Sequence, residues 1–169
     1  MTQTISTSDE TSLAKAVSAL KRGKLVAFPT DTVYGIGAQY CNTRAVRRLY
    51  VVKARPLAKA IPVLVGAISD VEELTASFPA APRALAEAFW PGALTLVLER
   101  SMKVPAVVAP GSTVAVRMPS HSWLLELLRR VGPLAVSSAN RSGQPAALSA
   151  GAARAALGGG LDLIVVDGA

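Results

Sequence analysis

The sequence predicts an α/β domain in which helices pack on a mixed sheet. Short apolar runs stopped by Pro or Gly alternate with segments of helical period. Of the 169 residues, 51% are hydrophobic and only 17% charged, which excludes intrinsic disorder. No internal repeat or long linker divides the chain, so residues 1–169 read as a single domain. A chain of this length hides roughly 70% of its unfolded surface on folding, enough for one proper core.

The elements follow in order. Ser8 and Thr11 precede Leu13, Val17 and Leu20 at helical spacing, and Gly23 ends that helix. Leu25 to Phe28 form a short apolar strand stopped by Pro29. Thr43 is placed to cap a second helix through about residue 52, with Val46, Leu49 and Tyr50 inward. Further strands are expected at 61–65, 94–98, 113–117, 134–137 and 163–166. Helices fall at about 82–89, 121–130 with Ser120 as cap, and 149–157 with Ser149 as cap. Some connections lack a convincing helix, which favours mixed over purely parallel strands.

Several function classes drop out. Cys41 has no partner cysteine and His121 is the sole histidine, which excludes a disulfide framework and a His-rich metal site. A lone His beside a helix start reads first as a cap or surface residue. HExxH, CxxC and Walker patterns are missing, and Gly35-Ile36-Gly37 lacks the third glycine of a dinucleotide loop. No apolar run approaches the ~20 residues of a membrane helix. The opening MTQTISTSDE lacks a basic-then-apolar signal, so the expectation is a cytoplasmic protein without membrane contact. The net charge of +7 points to an anionic partner.

Four segments carry chemistry. Residues 28–37 concentrate Thr30, Asp31, Thr32, Tyr34 and two glycines after a strand, at the carboxyl edge where α/β sheets bind ligands. The same pattern also suits an ordinary turn with Asp31 as a local cap. Lys53, Arg55 and Lys59 surround a turn made by Pro56. Between Thr32 and Ser69 stand six basic residues and no acid, which favours phosphate contacts over a solvated surface. Arg117 ends an apolar strand and should meet a carboxylate or phosphate, either of a ligand or of a structural Asp or Glu. Ser137, Ser138 and Asn140 follow another strand and suit either an anion-binding nest or a serine or Asx turn. No nucleophile–base pair is apparent, so the chemistry expected is positioning and charge neutralisation.

The segments LVAFPTDTVYGIGA, LYVVKARPLAKAIPVLV, FWPGALTLVL, TVAVRMPSH and PLAVSSANRSGQPA, in that order, make the chain resemble the YrdC/Sua5 family over residues 10 to 167. The resemblance implies a twisted mixed sheet with helices around a positively charged cavity. It implies synthesis of L-threonylcarbamoyl-AMP from L-threonine, bicarbonate and ATP, with release of pyrophosphate. That reaction begins threonylcarbamoyl modification of adenosine 37 in tRNAs reading codons that start with A. Mg²⁺ would arrive with ATP, and partners would include a downstream tRNA threonylcarbamoyl transferase complex and tRNA itself. The family's K-x-R…S-x-N signature falls on Lys53, Arg55, Ser138 and Asn140, of which Lys53 and Arg55 would be catalytic. Thr32 and Arg117 would hold L-threonine. Lys53, Arg55, Lys59, Thr113, Ser138 and Asn140 would contact ATP.

Three positions depart from the pattern. Leu64 stands where some archaeal relatives carry His, and Ala146 where some carry Ser. Most relatives continue past the VVDG stretch, so a C-terminal end shortened relative to the family is expected. A non-catalytic double-stranded RNA or tRNA module using the same basic cavity is the alternative, although few aromatics are present to stack bases. A carbamoyl-transfer domain like those inside hydrogenase-maturation proteins is less consistent with the short length.

Overall fold

A computed structural model describes residues 1–168. The strands are β1 (Gln3–Ser6), β2 (Val26–Phe28), β3 (Gly35–Gln39), β4 (Val63–Leu64), β5 (Leu96–Glu99), β6 (Thr113–Arg117), β7 (Leu134–Ser138) and β8 (Leu163–Val166). The helices are α1 (Ser12–Lys21), α2 (Thr43–Lys53), α3 (Asp70–Leu74), α4 (Ala80–Phe89), α5 (Ser122–Val131) and α6 (Ala150–Leu157). All eight strands join one sheet in the order β1-β8-β2-β3-β7-β4-β6-β5. β1 and β2 pair with β8 in parallel, as β4 does with β6; the pairs β2/β3, β3/β7, β4/β7 and β5/β6 are antiparallel. The mixed sheet expected from the missing crossover helices is therefore present.

Alternation along the strands builds a core on each side. Ala27, Ile36, Ala135 and Ile164 point to one face, where α2, α3, α4 and α6 contribute Leu49, Val71, Ala86 and Leu157. Val26, Phe28, Val136 and Val165 point to the other, beneath α1 and α5. These two helices pack on each other, and the buried indole N–H of Trp123 donates to Ser12 Oγ at 2.9 Å. Six of the ten residues of α5 are buried, all of them apolar. At about 1.5–3 kcal/mol for each fully buried large side chain, that helix anchors its layer through burial rather than propensity.

Some expectations need correction. β1, β3 and α3 were not foreseen. β1 is polar apart from Ile5, and β3 reads as a glycine-rich turn. Glycine has poor strand propensity. Here Gly35 and Gly37 let the Phe28 ring lie across the strand: a Cβ on Gly37 would sit 3.0 Å from Phe28 Cε1 and Cζ. The cap of α2 is Asn42, whose side chain accepts from the Ala45 N–H at 3.0 Å, not Thr43. α5 is capped by His121, not Ser120, with Nδ1 accepting from Leu124 N–H at 3.4 Å. Ser149 caps α6 as expected. The strand at 61–65 shrinks to two ladder residues, since Pro62 has no N–H and the Ile61 N–H turns to Val108 O at 2.9 Å.

Candidate active site

A cavity of about 300 Å³ opens on the sheet face carrying α1 and α5, where those helices leave the sheet uncovered. Its floor includes Gly35, Leu64, Val136 and Ser138, and its walls Thr30, Thr32, Arg55, Thr95 and Arg117. The sequence placed the site at a carboxyl edge of parallel strands. Mixed strand directions put it across a face instead: Leu64 is level with both Leu134 and Arg117, and Gly35 with Ser138.

Thr30 organises one end. Its hydroxyl donates to Val33 O at 2.6 Å and accepts from the N–H groups of Thr32 and Val33 at 3.1 Å. This turn carries Asp31 and Thr32 against Arg117. The guanidinium donates from Nε to Gly92 O at 2.9 Å, from Nη1 to Thr32 Oγ1 at 3.3 Å, and from Nη2 to Asp31 Oδ1. Both side chains of the Arg117–Asp31 pair are largely buried. The anticipated carboxylate partner of Arg117 is thus, in part, Asp31.

The second end is built at the end of α2. Ala54 takes the left-handed conformation, with φ 49°, and separates two basic side chains with different surroundings. Lys53 turns inward and is 1% exposed. Its ammonium donates to the carbonyl oxygens of Ser138 and Asn140, the latter at 2.5 Å, while Ser142 N–H donates to Lys53 O at 2.8 Å. Burial, with a smaller effect from the Arg55 charge, brings the Lys53 ammonium down to about 8. Arg55 turns into the cavity, its Nε and Nη2 braced on the carbonyls of Lys59 and Ala60 at 3.1 and 2.7 Å.

Thr32, Arg55, Arg117 and Ser138 thus meet around one cavity, whereas Lys53, Lys59, Thr113 and Asn140 do not line it. Asn140 is buried; its amide N–H groups donate to Arg141 O and Gln144 O at 2.9 and 2.7 Å, and Oδ1 has no partner. Lys59 is exposed and lends its backbone carbonyl to Arg55 and, at 2.9 Å, to the Tyr50 hydroxyl. Thr113 lies four residues before Arg117 on the same strand face, about 13 Å away. Thr30 and Ser137, which belong to segments marked in the sequence, also line the cavity, as does Thr95, which was not marked. Its signal, a hydroxyl beside a strand end, is too common to stand out in sequence.

The acid-free basic block has several fates. Arg48 forks onto Asp162 at 2.5 and 3.2 Å, a carboxylate 114 positions away, while Lys53 meets carbonyls. Among the described residues, no three or more His, Cys, Asp or Glu converge as metal ligands, and no helix is long and apolar enough to cross a membrane.

A mixed α/β domain thus presents two arginines and a row of hydroxyls to one open cavity. Comparison with known proteins makes this specific. The profile of the Sua5/YciO/YrdC family, described as "Telomere recombination", matches residues 18–169, and the chain belongs to that family. Threonylcarbamoyl-AMP synthase of Bacillus subtilis is 44% identical over 86% of this chain. The crystal structure of Pyrococcus abyssi Sua5 complexed with L-threonine superposes with a TM-score of 0.93, at 37% identity over 99% of this chain. Escherichia coli YciO, at 22% identity, 99% coverage of this chain and a TM-score of 0.86, shares the fold and covers 85% of its own length in the match. The chain spans 42% of the Bacillus relative and 50% of the crystallised Pyrococcus chain.

Proposed function

We propose that this domain makes L-threonylcarbamoyl-AMP by nucleotidyl transfer, from L-threonine, bicarbonate and ATP, as the first step of threonylcarbamoyl modification of tRNA adenosine 37. The observation that carries the reading is the single cavity with Arg117 and Thr32 at one end and Arg55 and Ser138 at the other. Relatives named threonylcarbamoyl-AMP synthase, and a relative crystallised with L-threonine, support it. They do not favour a non-catalytic RNA-binding module.

Arg117 holds the threonine carboxylate through charge-assisted hydrogen bonds, and Thr32 supplies a polar partner for the substrate. The threonine amine and bicarbonate give a carbamate with loss of water. A carbamate oxygen then attacks the α-phosphorus of ATP, and the bond to pyrophosphate breaks. Both partners are anionic, so their approach needs positive charge, which Arg55 supplies from a braced position. Lys53 acts through the chain segment it grips, holding Ser138 and Asn140 in place. Mg²⁺ would be carried by the ATP phosphates; the acid beside the cavity, Asp31, is paired with Arg117. A downstream transferase would accept the adenylate, with the reaction in the cytoplasm and tRNA contact on remaining basic surface.

The test is to incubate the purified protein with L-threonine, labelled bicarbonate and ATP. Threonine-dependent adenylate and pyrophosphate are expected; their absence with protein that binds L-threonine and ATP sinks the reading.

A further inference from the structure

The unexplained feature of the cavity is a carboxylate, Asp31, beside the arginine assigned to a carboxylate substrate. A guanidinium has five N–H donors. Three of Arg117's bonds are made within the chain, to Gly92 O, Thr32 Oγ1 and Asp31 Oδ1. Their donors are Nε, Nη1 and Nη2, so one N–H remains on each terminal nitrogen. Each remaining N–H can donate to a carboxylate oxygen. The turn that presents Asp31 is itself tied down by the Thr30 hydroxyl, which donates to Val33 O and accepts from the Thr32 and Val33 N–H groups. Asp31 is therefore a fixed stop against which the guanidinium is oriented.

The same pairing alters the charge at that end. Arg117 with Asp31 is close to neutral, whereas Arg55 is braced on neutral carbonyls and makes no ion pair among the described residues. A neutralised pole that keeps two N–H donors suits one carboxylate of a zwitterion. A pole carrying an uncompensated cation suits polyphosphate.

We propose that Asp31 is the positioning residue that aims Arg117 into the cavity and cancels its charge, so that this pole takes an amino-acid carboxylate and rejects polyphosphate. The proposal rests on the functional reading above and deepens it by dividing the cavity between the two substrates. Asp31→Ala removes both effects. Asp31→Asn keeps an oxygen that accepts from Nη2 and removes only the charge.

The experiment combines ¹⁵N NMR of the Arg117 Nε–H with calorimetry using L-threonine and inorganic pyrophosphate. Wild type should show an ordered Arg117 signal that persists in Asp31→Asn and vanishes in Asp31→Ala. L-threonine should bind Asp31→Ala at least ~10-fold more weakly, the equivalent of one lost charge-assisted contact. In Asp31→Asn, pyrophosphate should compete with L-threonine at roughly tenfold lower concentration than in wild type. An Arg117 signal or threonine affinity unchanged in Asp31→Ala overturns the aiming role. Unchanged pyrophosphate competition in Asp31→Asn overturns the charge-cancelling role. A wild type that binds no L-threonine, yet loses the Arg117 signal in Asp31→Ala, overturns the threonylcarbamoyl reading and leaves the aiming of Arg117 standing.

Discussion

Replacing Lys53 by Met removes an ammonium while keeping an unbranched chain of similar volume. Two opposed effects follow at neutral pH. The carbonyls of Ser138 and Asn140 lose their donor, at about 1–3 kcal/mol for each acceptor left unsatisfied. Against this, the penalty for holding a charge at a site 1% exposed disappears. Bringing the ammonium from 10.5 to about 8 corresponds to about 3 kcal/mol of that penalty. The near balance makes stability at pH 7 a poor test, and pH dependence a good one. Because the folded-state value lies below the unfolded one, the unfolded chain binds more protons between the two. Wild-type stability from this group therefore rises once pH passes about 8 and is fully gained above 10.5. Lys53→Met has no such rise. Urea unfolding at pH 7 and pH 9 should show the difference between the two proteins shift by about 1 kcal/mol in favour of wild type at pH 9. Other titrating groups are common to both proteins and cancel in that difference. An identical difference at the two pH values refutes the buried, charged clamp.

Three further outcomes are expected. Arg55→Ala should lower turnover about 100-fold with the melting temperature nearly unchanged, since the side chain faces the cavity and braces only on exposed-turn carbonyls; a near-normal rate in the pyrophosphate-release assay rejects its role. Asp162→Asn should lose about 1–3 kcal/mol at pH 7, because Asp162 accepts from Arg48 and from Leu25 N–H at 2.8 Å. Burial pushes the Asp162 carboxyl up, but these donors together hold it below its ordinary value. The stability it adds is present above the unfolded value near 3.9 and lost as pH falls through the folded one, so the gap between thermal melts of variant and wild type should narrow as pH falls below ~3.9. Gly66→Ala places a Cβ 2.8 Å from the Arg129 backbone nitrogen and should lower stability by about 1–3 kcal/mol, read as an earlier urea midpoint; an unchanged midpoint contradicts this close approach of α5.

Much of the fold was legible because apolar periodicity reports which residues are buried. β6, β8 and the body of α5 lie where their patterns placed them. β3 was hidden because its glycines serve a partner distant in spacing, the Phe28 ring, and a strand made to receive a side chain carries little signal of its own. Caps shifted by one residue at α2 and α5 because competing acceptors lay side by side, Asn42 with Thr43 and Ser120 with His121.

The site divides in the same way. Sequence alone marked Lys53, Arg55 and Lys59 through an acid-free basic block, and resemblance to a family added roles for Thr32, Thr113, Arg117, Ser138 and Asn140. Sequence also supplied the expectation of a mixed α/β domain. Tertiary structure decided which of these side chains share a space. It sent Lys53 inward to two carbonyls while the next-but-one residue, Arg55, faced the cavity, a split produced by the left-handed Ala54 between them. It brought Asp31 onto Arg117 across 86 positions and Asp162 onto Arg48 across 114. Periodicity along a chain records burial, which is local. Charge pairing and the division of a cavity depend on contacts between distant strands, which only the folded sheet brings together.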